Sequence, residues 1–275
     1  MPELPELELL KHALSGYIAG RTIAAAIVEP RRAFIIRYPP LDFARALSGR
    51  TFSGVERQGK FLRFGFEGHA DAMYVHPMLG GRFAYCSRAA PALPATYLTF
   101  QLTGAVDLRF LDTASMARVY LTAKPEQDVP SFAEMGPDAL DRALTRKTFA
   151  ARLRKHSGQI KSLLRNQSFI SGIGNSYSDE ILWAAKLNPL RRASTLGEAE
   201  RNALYAALRS VLREAVQAAR KQYEAGKHPL HKQDRSFMKI HRKGQKGYAC
   251  PRCGHRVSII HGHGQETYFC RGCQQ

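Results

Sequence analysis

Four thiols near the end of the chain restrict its fold more than any other feature. Cys250-Pro251-Arg252-Cys253 and Cys270-Arg271-Gly272-Cys273 are two C-x-x-C pairs separated by sixteen residues. Each pair bends tightly and can put two sulfurs on one ion, and the two together have the spacing of a four-thiolate zinc ribbon. Gly254 and Gly272 permit the turns, and residues 257–260 and 267–269 can pair as a hairpin between them. Four cysteines close the coordination sphere, so the expected ion is one structural Zn2+ held by Cys250, Cys253, Cys270 and Cys273. His255, His261 and His263 are possible substitute ligands. The fifth cysteine, Cys86, lies alone in the first half and reads as a packed thiol. This distribution fits a reducing compartment with one metal site better than a disulfide framework.

The opposite end is equally unusual. Met1-Pro2-Glu3-Leu4-Pro5-Glu6-Leu7-Glu8 crowds two prolines and three carboxylates into eight residues. The plain reading is a helix start, with Pro5 at the first helical position and acids where the helix dipole favours them. The other reading is chemical. Removal of Met1 leaves Pro2 with a secondary amine, a group no side chain offers. A terminal amine has a usable neutral fraction near neutral pH. Its addition to an aldehyde carbon gives an iminium that stays cationic without a proton and accepts electrons well.

Between these ends the periodicity changes once. Leu7, Leu10 and Leu14 have helical spacing, which predicts a first helix over 6–14. From Thr22 to Leu121 short β-like runs follow, among them 60–66, 72–76, 97–102 and 105–110, punctuated by Gly80-Gly81 and Thr103-Gly104. Several short strands with turn signals predict a β-sandwich or barrel. The polar stretch 123–130 reads as a linker. Helices are predicted over 138–153, 159–165, 175–186 and 198–223, the last opened by a capping start at Thr195-Leu196-Gly197-Glu198. Residues 220–246 form a basic segment, either a loop that meets a polyanion or a solvated one. The domain boundaries are therefore 1–124 for an N-terminal β-sandwich or barrel with a leading helix, 125–245 for a helical domain, and 246–275 for the zinc ribbon, an α+β chain.

Lys and Arg number 41 against 23 acidic residues, a net charge of +18. Such an excess points to a polyanionic partner, nucleic acid first. No run of apolar residues is long enough for a transmembrane helix, and the start has no signal-peptide pattern, so a cytoplasmic, nucleoid-associated place is expected.

Three motifs occur in order: Pro2-Glu3-Leu4-Pro5-Glu6, then Gly172-Ile173-Gly174-Asn175-Ser176-Tyr177-Ser178-Asp179-Glu180, then the zinc ribbon. Together they closely resemble the formamidopyrimidine-DNA glycosylase / endonuclease VIII family, over nearly the whole chain. The resemblance implies an N-terminal β-sandwich, a helix-two-turn-helix in the helical domain and a zinc finger. It also implies a bifunctional base-excision enzyme that everts a damaged nucleotide, expected to be an oxidised one, cuts the glycosidic bond and nicks the strand by β,δ-elimination. By position, Pro2 is the nucleophile that forms the Schiff base, Glu3 the acid at the sugar ring, Glu6 a supporting carboxylate and Lys60 a phosphate-contacting lysine. Asn175, at a helix start, is placed to grip a phosphate. Met78 matches the methionine inserted into the vacated stack. Lys161 and Arg242 join these as DNA-binding positions. A buried carboxyl in an acidic site can be kept protonated, which is what Glu3 would need as a proton donor.

The chain departs from the family pattern in three places. The segment that commonly reads Asp-Pro-Arg-Arg-Phe-Gly is Asp112-Thr113-Ala114-Ser115-Met116-Ala117, so the arginine for the orphaned base is missing and Met116 replaces a Phe wedge. Gln265 stands where the zinc hairpin usually carries an Arg, and an amide cannot supply that charged bidentate contact. Arg242, His263 or Arg271 are candidates to compensate. The basic segment before the ribbon matches the usual lesion-capping loop poorly. Two other readings stay open: a lesion- or structure-specific DNA-binding protein with weak or altered glycosylase activity, and a zinc-ribbon nucleic-acid module on an unrelated β domain. The expected partner is double-stranded damaged DNA, and one duplex site requires only a monomer.

Overall fold

The structure is a computed structural model and describes residues 1–38, 40–225, 235–262 and 264–275. In chain order the elements are α1 (Leu4–Ile18), β1 (Ile23–Val28), α2 (Pro40–Leu47), β2 (Phe52–Gln58), β3 (Phe61–Phe66), β4 (Ala72–His76), β5 (Gly81–Ser87), β6 (Thr96–Leu102), β7 (Val106–Asp112) and β8 (Arg118–Thr122). Then come α3 (Pro125–Asp128), α4 (Arg146–Leu153), α5 (Ile160–Arg165), α6 (Asn175–Ala184), α7 (Glu198–Glu224), β9 (Ser258–Gly262) and β10 (Gln265–Phe269). They form two compact units. The first holds Met1–Pro2, Glu6–Ala133 and 220–225; the second holds Glu3–Pro5, Glu134–Ala219 and the described residues from 235 to 275.

The first unit is a sandwich of two antiparallel four-stranded sheets, ordered β1-β6-β7-β5 and β2-β3-β4-β8. Period-two alternation builds its core: Leu62, Phe64 and Phe66 of β3 point inward, as do Leu98, Phe100 and Leu102 of β6. Leu7, Leu10, Leu14 and Ile18 of α1, three and four residues apart, bury one stripe against the same core. Pro5 costs this helix nothing, because first-turn N–H groups have no intrahelical acceptor. The uniform run of strands expected from 22 to 121 is interrupted by α2 and a 3-10 turn at Pro30–Ile35. The expected linker is also more than a connection. It folds as α3, Thr122 donates to the Asp128 carboxylate, and Val129 is buried with Ala72, Tyr74 and Tyr120.

In the second unit the helix expected from 138 begins only at Arg146. Asp138 and Asp141 accept the N–H groups of Leu140 and Ala143 at 3.0 and 2.9 Å, local turns that hold the chain out of helix. Thr145 then caps α4 by accepting from the Thr148 N–H. Glu200 reaches back to the Gly197 N–H at 2.8 Å and starts α7, whose Leu204, Leu208 and Leu212 are fully buried. The ribbon at 246–275 belongs to this same unit and is no separate domain, since β10 packs on α6. Of the basic segment, residues 226–234 lie outside the described residues, as does His263.

Candidate functional site

The second unit places Glu3 against the start of α6. Glu3 is 2% exposed, and its carboxylate accepts the backbone N–H groups of Gly174 (2.6 Å), Ser176 (2.9 Å) and Tyr177 (3.3 Å). These are helix N-terminal donors, so the group that occupies this helix end is the Glu3 carboxyl itself. Leu4 donates to the Gly172 carbonyl at 3.0 Å. The two glycines of the motif now have a reason. A Cβ on Gly174 would stand 2.5 Å from Glu3 Cδ, and one on Gly172, which sits at φ +97°, would stand 2.8 Å from Leu4 Cδ1. Three main-chain N–H donors thus meet the Glu3 oxygens. Pro2, which the structure assigns to the first unit, is buried, and Glu6 is 4% exposed in the first turn of α1.

Two acids further along α6 tie down the rest of the unit. Asp179 pairs with the Lys161 ammonium at 2.7 Å and accepts from the Tyr268 N–H at 3.1 Å, with His241 Nδ1 at 2.8 Å on the same carboxylate. Glu180 accepts the N–H groups of Lys239, Ile240 and His241 between 2.7 and 3.0 Å. Burial still pushes the Glu180 carboxyl up, against the pull of those three bonds. Lys161 also donates to Thr267 Oγ1 (2.7 Å) and to the Glu266 carbonyl (3.3 Å).

Lys161 is therefore corrected as a DNA contact. It is 5% exposed, its donors are spent inside the unit, and burial holds it below the ordinary lysine range although Asp179 pulls the other way. Asn175 is corrected in orientation. Its Nδ2 donates to the Glu266 carbonyl at 2.8 Å, and its buried Oδ1 has no partner among the described residues. For a phosphate oxygen the amide offers only the second N–H of Nδ2, since Oδ1 is an acceptor. Arg242 lies 5.2 Å over the Tyr248 ring and lines a cavity of about 470 Å³ with Ser176, Arg235 and His241. Gln265 is exposed at the hairpin tip, where β10 begins opposite Gly262.

The first unit carries the remaining positions. Lys60 is 7% exposed at the β2–β3 turn, where Gly59 has φ +56°. Beside that turn, Arg57 pairs with Glu8 at 2.7 Å. Burial alone would raise the Glu8 carboxyl; Lys11 and Arg57 hold it below its ordinary value. Asp112 accepts the N–H groups of Ala114, Met116 and Ala117 at 2.9, 2.7 and 2.7 Å, which shapes the altered loop and leaves Met116 37% exposed. The β4–β5 turn packs onto it, since a Cβ on Gly80 would land on the Asp112 carboxylate. In that turn the apolar side chain most open to solvent is Leu79, 59% exposed; Met78 is half-buried at φ +50°.

The four cysteine sulfurs lie within 4.8 Å of one another, with Cys253 and Cys270 at 3.3 Å and Cys250 and Cys273 at 3.8 Å. Tetrahedral Zn–S bonds of about 2.3 Å put sulfurs about 3.8 Å apart, so the set fits such an ion. Burial, then hydrogen bonds from neighbouring thiols, pushes Cys273 up to about 12. Four sulfurs this close need a cation before all can ionise.

Sequence reasoning missed Asp179, Glu180, His241 and Leu79. An adjacent acid pair on a buried helix face was the one available signal for the first two.

Two family models match the chain. One, described as the formamidopyrimidine-DNA glycosylase N-terminal domain, matches residues 1–119, and another, the formamidopyrimidine-DNA glycosylase H2TH domain, matches residues 135–225. The formamidopyrimidine-DNA glycosylase of Moorella thermoacetica is 35% identical over 265 residues and covers 94% of each chain. That of Geobacillus kaustophilus is 35% identical and covers both chains in full. A complex of Lactococcus lactis Fpg with abasic-site DNA superposes with a TM-score of 0.88 at 26% identity over 99% of each chain. A structure of MutM with DNA containing carbocyclic 8-oxo-G gives the same score and identity over the full length of both.

Proposed function

We infer the reaction from one premise, that this chain belongs to the formamidopyrimidine-DNA glycosylase family. It is a DNA glycosylase of base-excision repair, and its substrate is damaged duplex DNA. The finer reading is a bifunctional glycosylase and AP lyase. The seating of Glu3 on three main-chain donors, one residue after the secondary amine of Pro2, carries it.

With Met1 removed, the Pro2 nitrogen attacks C1′ and the base leaves with the glycosidic bond pair. Glu3 takes the proton that the attacking nitrogen sheds and delivers it to the ring oxygen, so the C1′–O4′ bond breaks and the nitrogen lone pair closes the iminium. That cation draws the electrons released when the C2′ proton is lost, so the 3′ C–O bond breaks, and a second elimination breaks the 5′ C–O bond. Glu6 supports this site, and Lys60 contacts phosphate. Met116 and Leu79, rather than Met78, fill the stack that the everted base vacates, because they are the apolar side chains exposed at the two adjoining tips. The stack must be filled because eversion costs a few kcal/mol. Arg242 and Gln265 also meet the DNA, Gln265 without a charge. Cys250, Cys253, Cys270 and Cys273 would hold one structural Zn2+, which would organise the hairpin and, with four thiolates on it, leave no position for the chemistry.

Borohydride trapping on duplex with an abasic site tests this. The wild-type chain is expected to give a covalent adduct and Pro2→Gly none. An untrappable wild type with Met1 shown to be absent defeats the lyase. Gln265 and Ala114 favour the second reading, a lesion-specific DNA-binding protein with weak chemistry. It predicts normal duplex affinity without nicking.

A further inference from the structure

We propose that Arg118 binds a backbone phosphate of the duplex, as the third member of an anion site whose other members are Lys60 and His76. The proposal rests on the reading of this chain as a duplex-binding glycosylase and adds a residue that the resemblance does not supply.

The three side chains come from adjoining strands of one sheet. Arg118 of β8 is the register partner of His76 at the end of β4. Lys60 precedes Phe61, whose ring packs edge-on against the His76 ring at 4.8 Å. His76 Nδ1 accepts the Met78 N–H at 3.1 Å, which assigns the ring proton to Nε2 and leaves an N–H donor there. Burial first, and then the charges of Lys60 and Arg118, push His76 down to about 4, so at neutral pH it offers that donor without a charge. Arg118 spends Nη1 on the carbonyls of Met116 and Ala117. Its Nε and Nη2 have no partner among the described residues, and no carboxylate of those residues pairs with it.

A guanidinium edge with two parallel donors matches two oxygens of a phosphodiester. A base reader would stand at the end of the loop. Arg118 is instead pinned to the carbonyls at the root of the loop, behind the exposed Met116. The position also answers a deficit, because the chain lacks a cation at 265 and at 114.

The test measures duplex affinity with the zinc-loaded full chain on a stable abasic analogue, placed opposite each of the four bases, across a salt series. Arg118→Ala removes both charge and loop contacts. Arg118→Gln keeps donors for the two carbonyls but carries no charge, and Arg118→Lys keeps the charge. The glutamine variant is expected to bind roughly ten-fold more weakly at low salt, with a log–log salt slope shallower by about 0.9, equally for all four opposite bases. Arg118→Lys is expected to keep the wild-type slope. An unchanged slope in Arg118→Gln overturns the proposal. A loss confined to one opposite base overturns it in favour of base reading. A wild type whose affinity ignores salt would instead sink the duplex-binding reading itself.

Discussion

At position 76 a histidine is held neutral by its surroundings, and that has a price in acid. Its folded value of about 4 lies below the ordinary 6.5. As pH falls through 6.5 the unfolded chain takes the proton first, so stability is lost between about pH 6.5 and 4 and is unaffected above that window. The full loss is about 3 kcal/mol, from a shift of roughly two and a half pKa units. Urea midpoints of the wild type at pH 7 and 4.5 are expected to differ more than those of His76→Gln; equal differences refute the assignment. Nothing in the residues around His76 announced this, because the shift comes from burial and from charges on other strands. Glu3 was singled out by the resemblance, since three carboxylates and two prolines at a chain start read by themselves as a helix start. Which residue of 78 and 79 points outward was not legible, because the positive φ of Met78 decides it and leaves no mark on hydropathy.

The start and end of α6 were readable from Gly174-Asn175 and from Asn188-Pro189. Why glycine precedes the helix was not, because the reason lies 171 residues away in Glu3. Gly174 has φ −126°, which any residue adopts, so the requirement there is space alone. Gly174→Ala is expected to move the Glu3 carboxylate and to slow base release by about 100-fold, the cost of roughly an ångström of misplacement. Its stability loss should stay within about 1–3 kcal/mol, as for an overpacked site. Single-turnover excision and thermal melts measure the two; a full-rate variant would show that Glu3 needs no such seat. The truncated α4 marks another limit of pattern reading. Leu140 and Leu144 have helical spacing, yet the Asp138 and Asp141 side chains capture the local N–H groups first.

Across the whole molecule, period indicated a sandwich or barrel followed by helices, the resemblance chose the sandwich, the cysteine spacing marked the ribbon, and the net charge of +18 pointed to the class of partner. The place of the ribbon within the second unit was not legible, since it depends on Lys161, Asn175, Asp179 and Glu180 bonding to backbone far along the chain. Those bonds give metal removal a defined footprint. A chelator is expected to release about one zinc per chain and to strip hydrogen-exchange protection from β9, β10, residues 239–241 and the first turns of α6. The sandwich strands β2, β3 and β4 should keep theirs. Uniform loss in both units, or none in α6, would contradict it. The donors that seat Glu3 raise a different matter, one of mutational genetics. They are amides, which every amino acid except proline possesses. Alanine at Ser176 or Tyr177 leaves the amide in place and so says nothing of these two bonds, whereas proline at either position removes one of them.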